Sequence, residues 1–181
     1  MQFEIDFIVA LQSVASEGLT VFFEMISLLG SYLGFIILFL IFFILNRKLS
    51  YVFGVCFLGG VGLNYLLKWI IGRDRPYVTH PEIVNLTQTI GESMPSSHAL
   101  CVVILSIFLC YFVFTATKKP LYRTLAATGM SILTLLTFVS RLYLGLHYLT
   151  DILVGAIIGA GIAFFGILWL EKRRAKHAEQ K

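Results

Sequence analysis

Three short segments of this chain carry side chains able to handle an anion. The first runs Lys68-Trp69-Ile70-Ile71-Gly72-Arg73-Asp74-Arg75-Pro76. Lys68 supplies a point charge and Arg75 a planar fork, a pairing that suits the oxygens of a phosphate. Gly72 is suited to end a helix that carries Lys68 in its last turn, and Pro76 biases Arg75 away from helical geometry, so the two cations converge from different backbone elements. Arg73 and Asp74 are expected to pair with each other at the surface.

The second segment, Met94-Pro95-Ser96-Ser97-His98, reads as the start of a helix. Free N–H groups and a partial positive charge gather at such a start, so Ser96, Ser97 and their amides are suited to hold an anion beside His98. Taken alone, a capped helix start with a solvated histidine explains this segment equally well. The third segment runs from Ser140-Arg141 through Gly145 and His147 to Asp151. A helix beginning near Gly145 would set His147 and Asp151 one turn apart on the same face. The carboxylate would then hold one imidazole nitrogen and leave the other free to act as base or nucleophile.

The elements that must position these groups are membrane helices. Of the 181 residues, 58% are hydrophobic and 13% charged, well below the quarter or so of charged residues typical of soluble domains. Five apolar stretches have the roughly 20-residue length that crosses a hydrocarbon layer: Val21 to Leu45, Tyr51 to Ile71, Ala99 to Ala116, Tyr122 to Val139 and Ile152 to Leu170. Phe3 to Glu17 mixes apolar and acidic residues and suits an interfacial amphipathic helix. The fold class is therefore all-α, a polytopic bundle of about five transmembrane helices plus that amino-terminal helix. Residues 1–181 form one integral membrane domain, with 171–181 a basic tail. Cys56, Cys101 and Cys110 sit within apolar runs and read as small hydrophobes.

Charge placement supports this topology. Arg47, Lys48, Lys118, Lys119, Arg123, Lys172, Arg173, Arg174, Lys176 and Lys181 all fall on one side of a five-span chain, the side that the positive-inside rule makes cytoplasmic. Lys68, Arg73, Arg75 and Arg141 are the remaining cations, and they gather at the opposite surface with His80, His98, His147 and Asp151. Four cations at one depth, against the general asymmetry, mark an anion site. Glu24 lies about one turn into the first span and serves either interfacial solvation or a supporting role; Tyr77, His80 and Glu92 belong to the connecting loop.

Together the three segments resemble the signature motifs of the type 2 phosphatidic acid phosphatase and vanadium haloperoxidase superfamily, Lys-x6-Arg-Pro, Pro-Ser-Gly-His and Ser-Arg-x5-His-x3-Asp. They stand in the family's order over the last three-quarters of the chain. The resemblance implies that His147 is the nucleophile taking up the phosphoryl group, that Asp151 orients it, and that His98 protonates the leaving oxygen and later activates water. Lys68, Arg75, Ser96, Ser97 and Arg141 would form the phosphate cradle. Ser97 stands where the family commonly has Gly, and the membrane branch commonly has six spans rather than five.

The resemblance implies a membrane lipid phosphatase that needs no metal or cofactor and acts on a lipid phosphate monoester or a prenyl diphosphate, with undecaprenyl diphosphate, phosphatidylglycerophosphate and phosphatidic acid as candidates. Its site would face the extracytoplasmic side of the cell membrane. Membrane lipids are its surroundings; no nucleic acid and no obligatory protein partner is inferred. The rival reading, an anion transporter or channel lined by the same cations, calls for ionisable groups deep along several spans, and spans three and five carry none. A metal-dependent hydrolase is disfavoured because the neighbouring cations would repel the ion.

Overall fold

The computed structural model describes residues 2–179, with side chains to Lys176; the expectation for Lys181 lies outside the described residues. Eight helices follow one another among them: α1 (Gln2–Gln12), α2 (Glu17–Leu29), α3 (Tyr32–Leu45), α4 (Arg47–Ile71), α5 (Pro76–Thr79), α6 (Ser97–Ala116), α7 (Pro120–Tyr143) and α8 (Leu149–Glu179). Five stretches, Glu17–Leu45, Arg47–Thr79, Ser97–Ala116, Pro120–Tyr143 and Leu149–Lys176, are long and apolar enough to span a bilayer. Each expected span lies within one of them.

Local chemistry sets the breaks. Asn46 accepts a hydrogen bond from the Leu49 amide at 3.2 Å and caps α4, while Gly72, at a φ of 58°, ends it in the left-handed conformation that glycine adopts without strain. Pro120 takes the first turn of α7, where a missing N–H costs nothing. The first span is a broken helix rather than the continuous one expected from its hydropathy. It breaks at Gly30-Ser31, where Gly30 packs against Thr137 of α7 closely enough that a side chain would collide.

Lipid is as apolar as leucine, so close packing rather than the hydrophobic effect must hold such helices together. Phe35, Phe42, Phe53, Phe57 and Phe108 interlock α3, α4 and α6, with Phe35 and Phe57 stacked at 4.2 Å. Gly155 and Gly159, four residues apart on α8, let α6 come nearest: a β-carbon on either would sit 2.5 or 2.6 Å from the carbonyl oxygen of Ser96 or Leu100. That approach sets the start of α8 beside the start of α6.

The amino-terminal helix is shorter than Phe3 to Glu17 and does more than lie at an interface. Its inner face buries Ile5 and Ile8 against Ile83, Ala99, Leu142 and Ile152, while Phe3 and Phe7 remain exposed. Gln12 binds the 80–93 loop twice, donating to the Val84 carbonyl at 2.7 Å and accepting from the Val84 amide at 2.9 Å.

Candidate functional site

The three segments meet at the bundle end where α4 finishes, α6 starts, α7 finishes and α8 starts. His147 does not lie on a helix. Gly145 adopts a φ of 73° in a short loop, α8 begins at Leu149, and the helix expected from Gly145 starts a turn later. His147 and Asp151 still meet, by a different device. Asp151 reaches back to accept from the Tyr148 amide at 2.8 Å, the reciprocal contact of a capping box, and its Oδ2 lies 3.6 Å from His147 Nδ1.

The carboxylate is surrounded. Ser93 Oγ donates to Asp151 Oδ2 at 2.5 Å and lies 3.5 Å from His147 Nδ1. On the other oxygen, Arg73 pairs with Asp151 Oδ1 at 2.6 Å. The same guanidinium donates to Thr150 Oγ1 at 2.8 Å and covers the Tyr148 ring at 4.0 Å. The expected Arg73–Asp74 surface pair is thus corrected: Asp74 is exposed and makes no ion pair among the described residues. Asp151 is fully buried, and a buried carboxylate takes a cation from anywhere in the fold before an exposed neighbour can hold it.

Lys68, Arg75 and Arg141, all buried, come from three elements as expected. Lys68 Nζ donates to the carbonyls of Glu92 and Ser93. Arg75, extended ahead of Pro76, donates to the carbonyls of Gly91 at 2.8 Å and Leu146 at 3.2 Å. Arg141 lies 3.4 Å from His98 Nδ1 and is held from behind by Ser140 at 3.2 Å and by Ser27. His98 sits within Coulombic range of Arg141, His147, Arg75 and Lys68, so the cluster is one electrostatic unit. Burial pushes the His147 imidazole below its ordinary value, to about 4; the Asp151 carboxylate opposes this, and Arg75 and Lys68 reinforce it.

The two serines of the second segment divide their work. Ser96 Oγ caps α6 by accepting from the Ala99 amide at 3.4 Å, and its own amide donates to the Asp151 carbonyl at 3.0 Å. Ser97 Oγ accepts from Asn64 Nδ2 at 2.7 Å. The amides of Ser97 and His98, in the first turn, have no acceptor within the helix.

Four participants were not singled out from sequence. Asn64 gave a usable signal, an amide inside an apolar span one turn before Lys68. Ser27 is, in sequence, like any small residue of a span; Glu24, one turn before it on α2, is exposed. Ser93 lies in a loop without periodicity. Glu4, which accepts from the Thr150 amide at 2.9 Å and so caps α8 from α1, is joined to its partner only by folding. Of the loop residues, Tyr77 donates to the Thr89 carbonyl at 2.5 Å, and His80 faces Glu82 at 3.7 Å.

Residues 47–175 match the family model of the PAP2 superfamily. The chain is 28% identical over 120 residues to the palmitoyl-protein thioesterase-dolichyl pyrophosphate phosphatase fusion 1 of Schizosaccharomyces pombe, which covers 65% of this chain and 19% of that one. It is 26% identical over 119 residues to undecaprenyl-diphosphatase BcrC of Bacillus subtilis, covering 66% of this chain and 56% of the relative. It thus spans between a fifth and somewhat over half the length of these relatives. Among solved structures, the first transmembrane PAP2 type phosphatidylglycerolphosphate phosphatase from Bacillus subtilis is similar at a TM-score of 0.78 and 24% identity, over 94% of this chain and 86% of that one. LpxE of Aquifex aeolicus is similar at 0.72 and 21% identity, over 90% and 93%.

Proposed function

Since the chain belongs to the PAP2 superfamily and is a multi-pass membrane protein, we propose that it is a lipid phosphatase that hydrolyses a phosphate monoester or prenyl diphosphate through a phosphohistidine. The observation that carries this reading is His147, nearly fully buried, held by Asp151 and neighboured by the buried cations Arg75 and Lys68. A neutral imidazole with Nδ1 facing a carboxylate presents Nε2 as the nucleophile.

The reaction then runs in two steps. His147 Nε2 forms a bond to phosphorus while the bond to the leaving oxygen breaks, and protonated His98 gives that oxygen its proton. His98, now neutral, takes a proton from water, whose oxygen attacks phosphorus and releases His147 and phosphate. Arg75, Lys68, Arg141 and the first amides of α6 stabilise the charge on the equatorial oxygens. Lys68 and Arg75 now rest on carbonyl oxygens of residues 91, 92, 93 and 146, partial negative charges that phosphate oxygens would replace. Asn64 and Ser96 act as positioning residues for the start of α6.

A greasy substrate suits this placement, because its tail stays in lipid while only the head group enters. We assign the site to the extracytoplasmic face, since Arg47, Lys48, Lys118, Lys119 and the basic end of α8 gather at the opposite end. An outward site favours a prenyl diphosphate, as would appear after a carrier lipid has delivered its cargo; the similarity to undecaprenyl-diphosphatase BcrC agrees with this choice.

The test is phosphate release by detergent-purified protein from undecaprenyl diphosphate, phosphatidylglycerophosphate and phosphatidic acid, with chelator present. The reading requires turnover in chelator, competition by vanadate and an acid-labile phosphoenzyme, all lost in His147→Ala. Wild-type turnover in His147→Ala would remove the assigned nucleophile. For the orientation, a cysteine near His80 should label from outside and one near Lys119 should not.

A further inference from the structure

The bundle end remote from His147 holds a groove that this chemistry does not use. It has a volume of about 450 Å³ and runs between the first turns of α4 and the last turns of α8, within the size range of small-molecule sites. Val52, Val55, Cys56 and Leu170 line its length, and Lys48 and Arg173 stand at its mouth. At Gly166 the two helices pack closely, since a β-carbon there would meet Cys56 Sγ.

Two of the three cations that line the groove have no anionic partner among the described residues. Arg174 is held by Tyr111 at 2.7 Å and Glu171 at 2.9 Å, but Lys48 and Arg173 make no ion pair among the described residues. Arg173 lies over the Trp169 ring at 4.3 Å, which aims it along the groove wall. From Lys48 to Cys56 the α4 backbone descends about 12 Å. A ligand that fits must carry negative charge at one end and an apolar chain of at least that length at the other. A second copy of this chain fits badly, because it would bring two basic ends together.

We propose that the groove binds one acyl chain of an anionic phospholipid, with its phosphodiester between Lys48 and Arg173. Such a lipid is a ligand and not a substrate: it lies a membrane thickness from His147, and a phosphodiester is neither of the bonds assigned to that site. The proposal therefore stands independently of the catalytic reading.

Trp169 supplies the probe. In full-length Trp69→Phe protein it is the only tryptophan left, and bromine-labelled acyl chains quench a ring that they touch. Brominated phosphatidylglycerol, mixed into phosphatidylcholine nanodiscs, should reach half-maximal quenching at about a tenfold lower mole fraction than brominated phosphatidylcholine does. Lys48→Glu with Arg173→Glu should erase that preference, and Val55→Phe should reduce quenching by either lipid. All three positions are exposed, so folding survives, as unquenched Trp169 emission will report. The preference should persist in His147→Ala, which separates it from the catalytic cluster. Equal quenching by the two lipids, a preference that survives charge reversal, or disulfide cross-linking of two copies through Val55→Cys would each overturn the proposal.

Discussion

Arg73 and Asp151, 78 residues apart in sequence, form a 2.6 Å ion pair at the start of α8. One carboxylate oxygen is given to this cation, and the other to His147, Ser93 and the Tyr148 amide. The nucleophile's orienting acid is thus itself oriented, by a residue from the loop after α4.

Arg73→Ala should therefore lower kcat about 10- to 100-fold, a barrier change of about 1.4–2.8 kcal/mol, with a smaller effect on KM. Arg73→Lys should recover only part of it, because an ammonium cannot both reach Asp151 and lie flat on Tyr148. Steady-state kinetics on one substrate decide this; unchanged kcat in Arg73→Ala would show that Ser93 and Tyr148 suffice.

Ser27→Ala should cost more than Glu24→Gln. Ser27 contacts both Ser140, at 2.8 Å, and Arg141, and leaving such buried groups unpaired costs about 1–3 kcal/mol. Glu24 is exposed one turn away. Thermal inactivation and turnover measured on the two variants should rank them in that order.

Gly155→Ala should destabilise the bundle by about 1–3 kcal/mol, since backbone lies where the methyl must go and neither helix can yield without moving the other. It should also reduce turnover by separating Asp151 from Ser96. Gly161→Ala on the same helix meets nothing within 4 Å and should be neutral or slightly stabilising. Equal melting temperatures for the two variants would refute the close-approach argument.

The pH dependence follows from His147. Its folded value, about 4, lies below the ordinary 6.5, so the folded state holds fewer protons than the unfolded one. Its contribution is complete above pH 6.5 and is lost as pH falls from there through about 4. The full loss is roughly 3 kcal/mol at 1.36 kcal/mol per unit. Melting temperature measured between pH 7 and 4 should fall less in His147→Gln than in the wild type. The nucleophile itself should stay neutral, and so competent, down to about pH 4.

Much of the architecture was legible without coordinates because its causes are local. The length of each apolar run answers to the bilayer thickness, the sidedness of Lys and Arg follows from counting spans, and Gly72 and Pro76 act on their own backbone. The meeting of Lys68, Arg75, His98, Arg141 and His147 could be anticipated from three motifs in order, though the reason for the His147–Asp151 contact could not. A shared helical face was expected, whereas a side-chain cap across the helix start brings them together.

The sequence by itself determined a five-span membrane chain with an electropositive cluster at one end and a basic rim at the other. Tertiary structure alone decided who partners whom: Arg73 with Asp151 instead of Asp74, Ser27 with Arg141, Asn64 behind Ser97, and Glu4 under α8. The physical reason is that a buried charge or amide binds whatever donor or acceptor packing delivers. Delivery depends on approaches such as Gly155 against Ser96 and Gly30 against Thr137, contacts between residues far apart in the chain that no local pattern encodes.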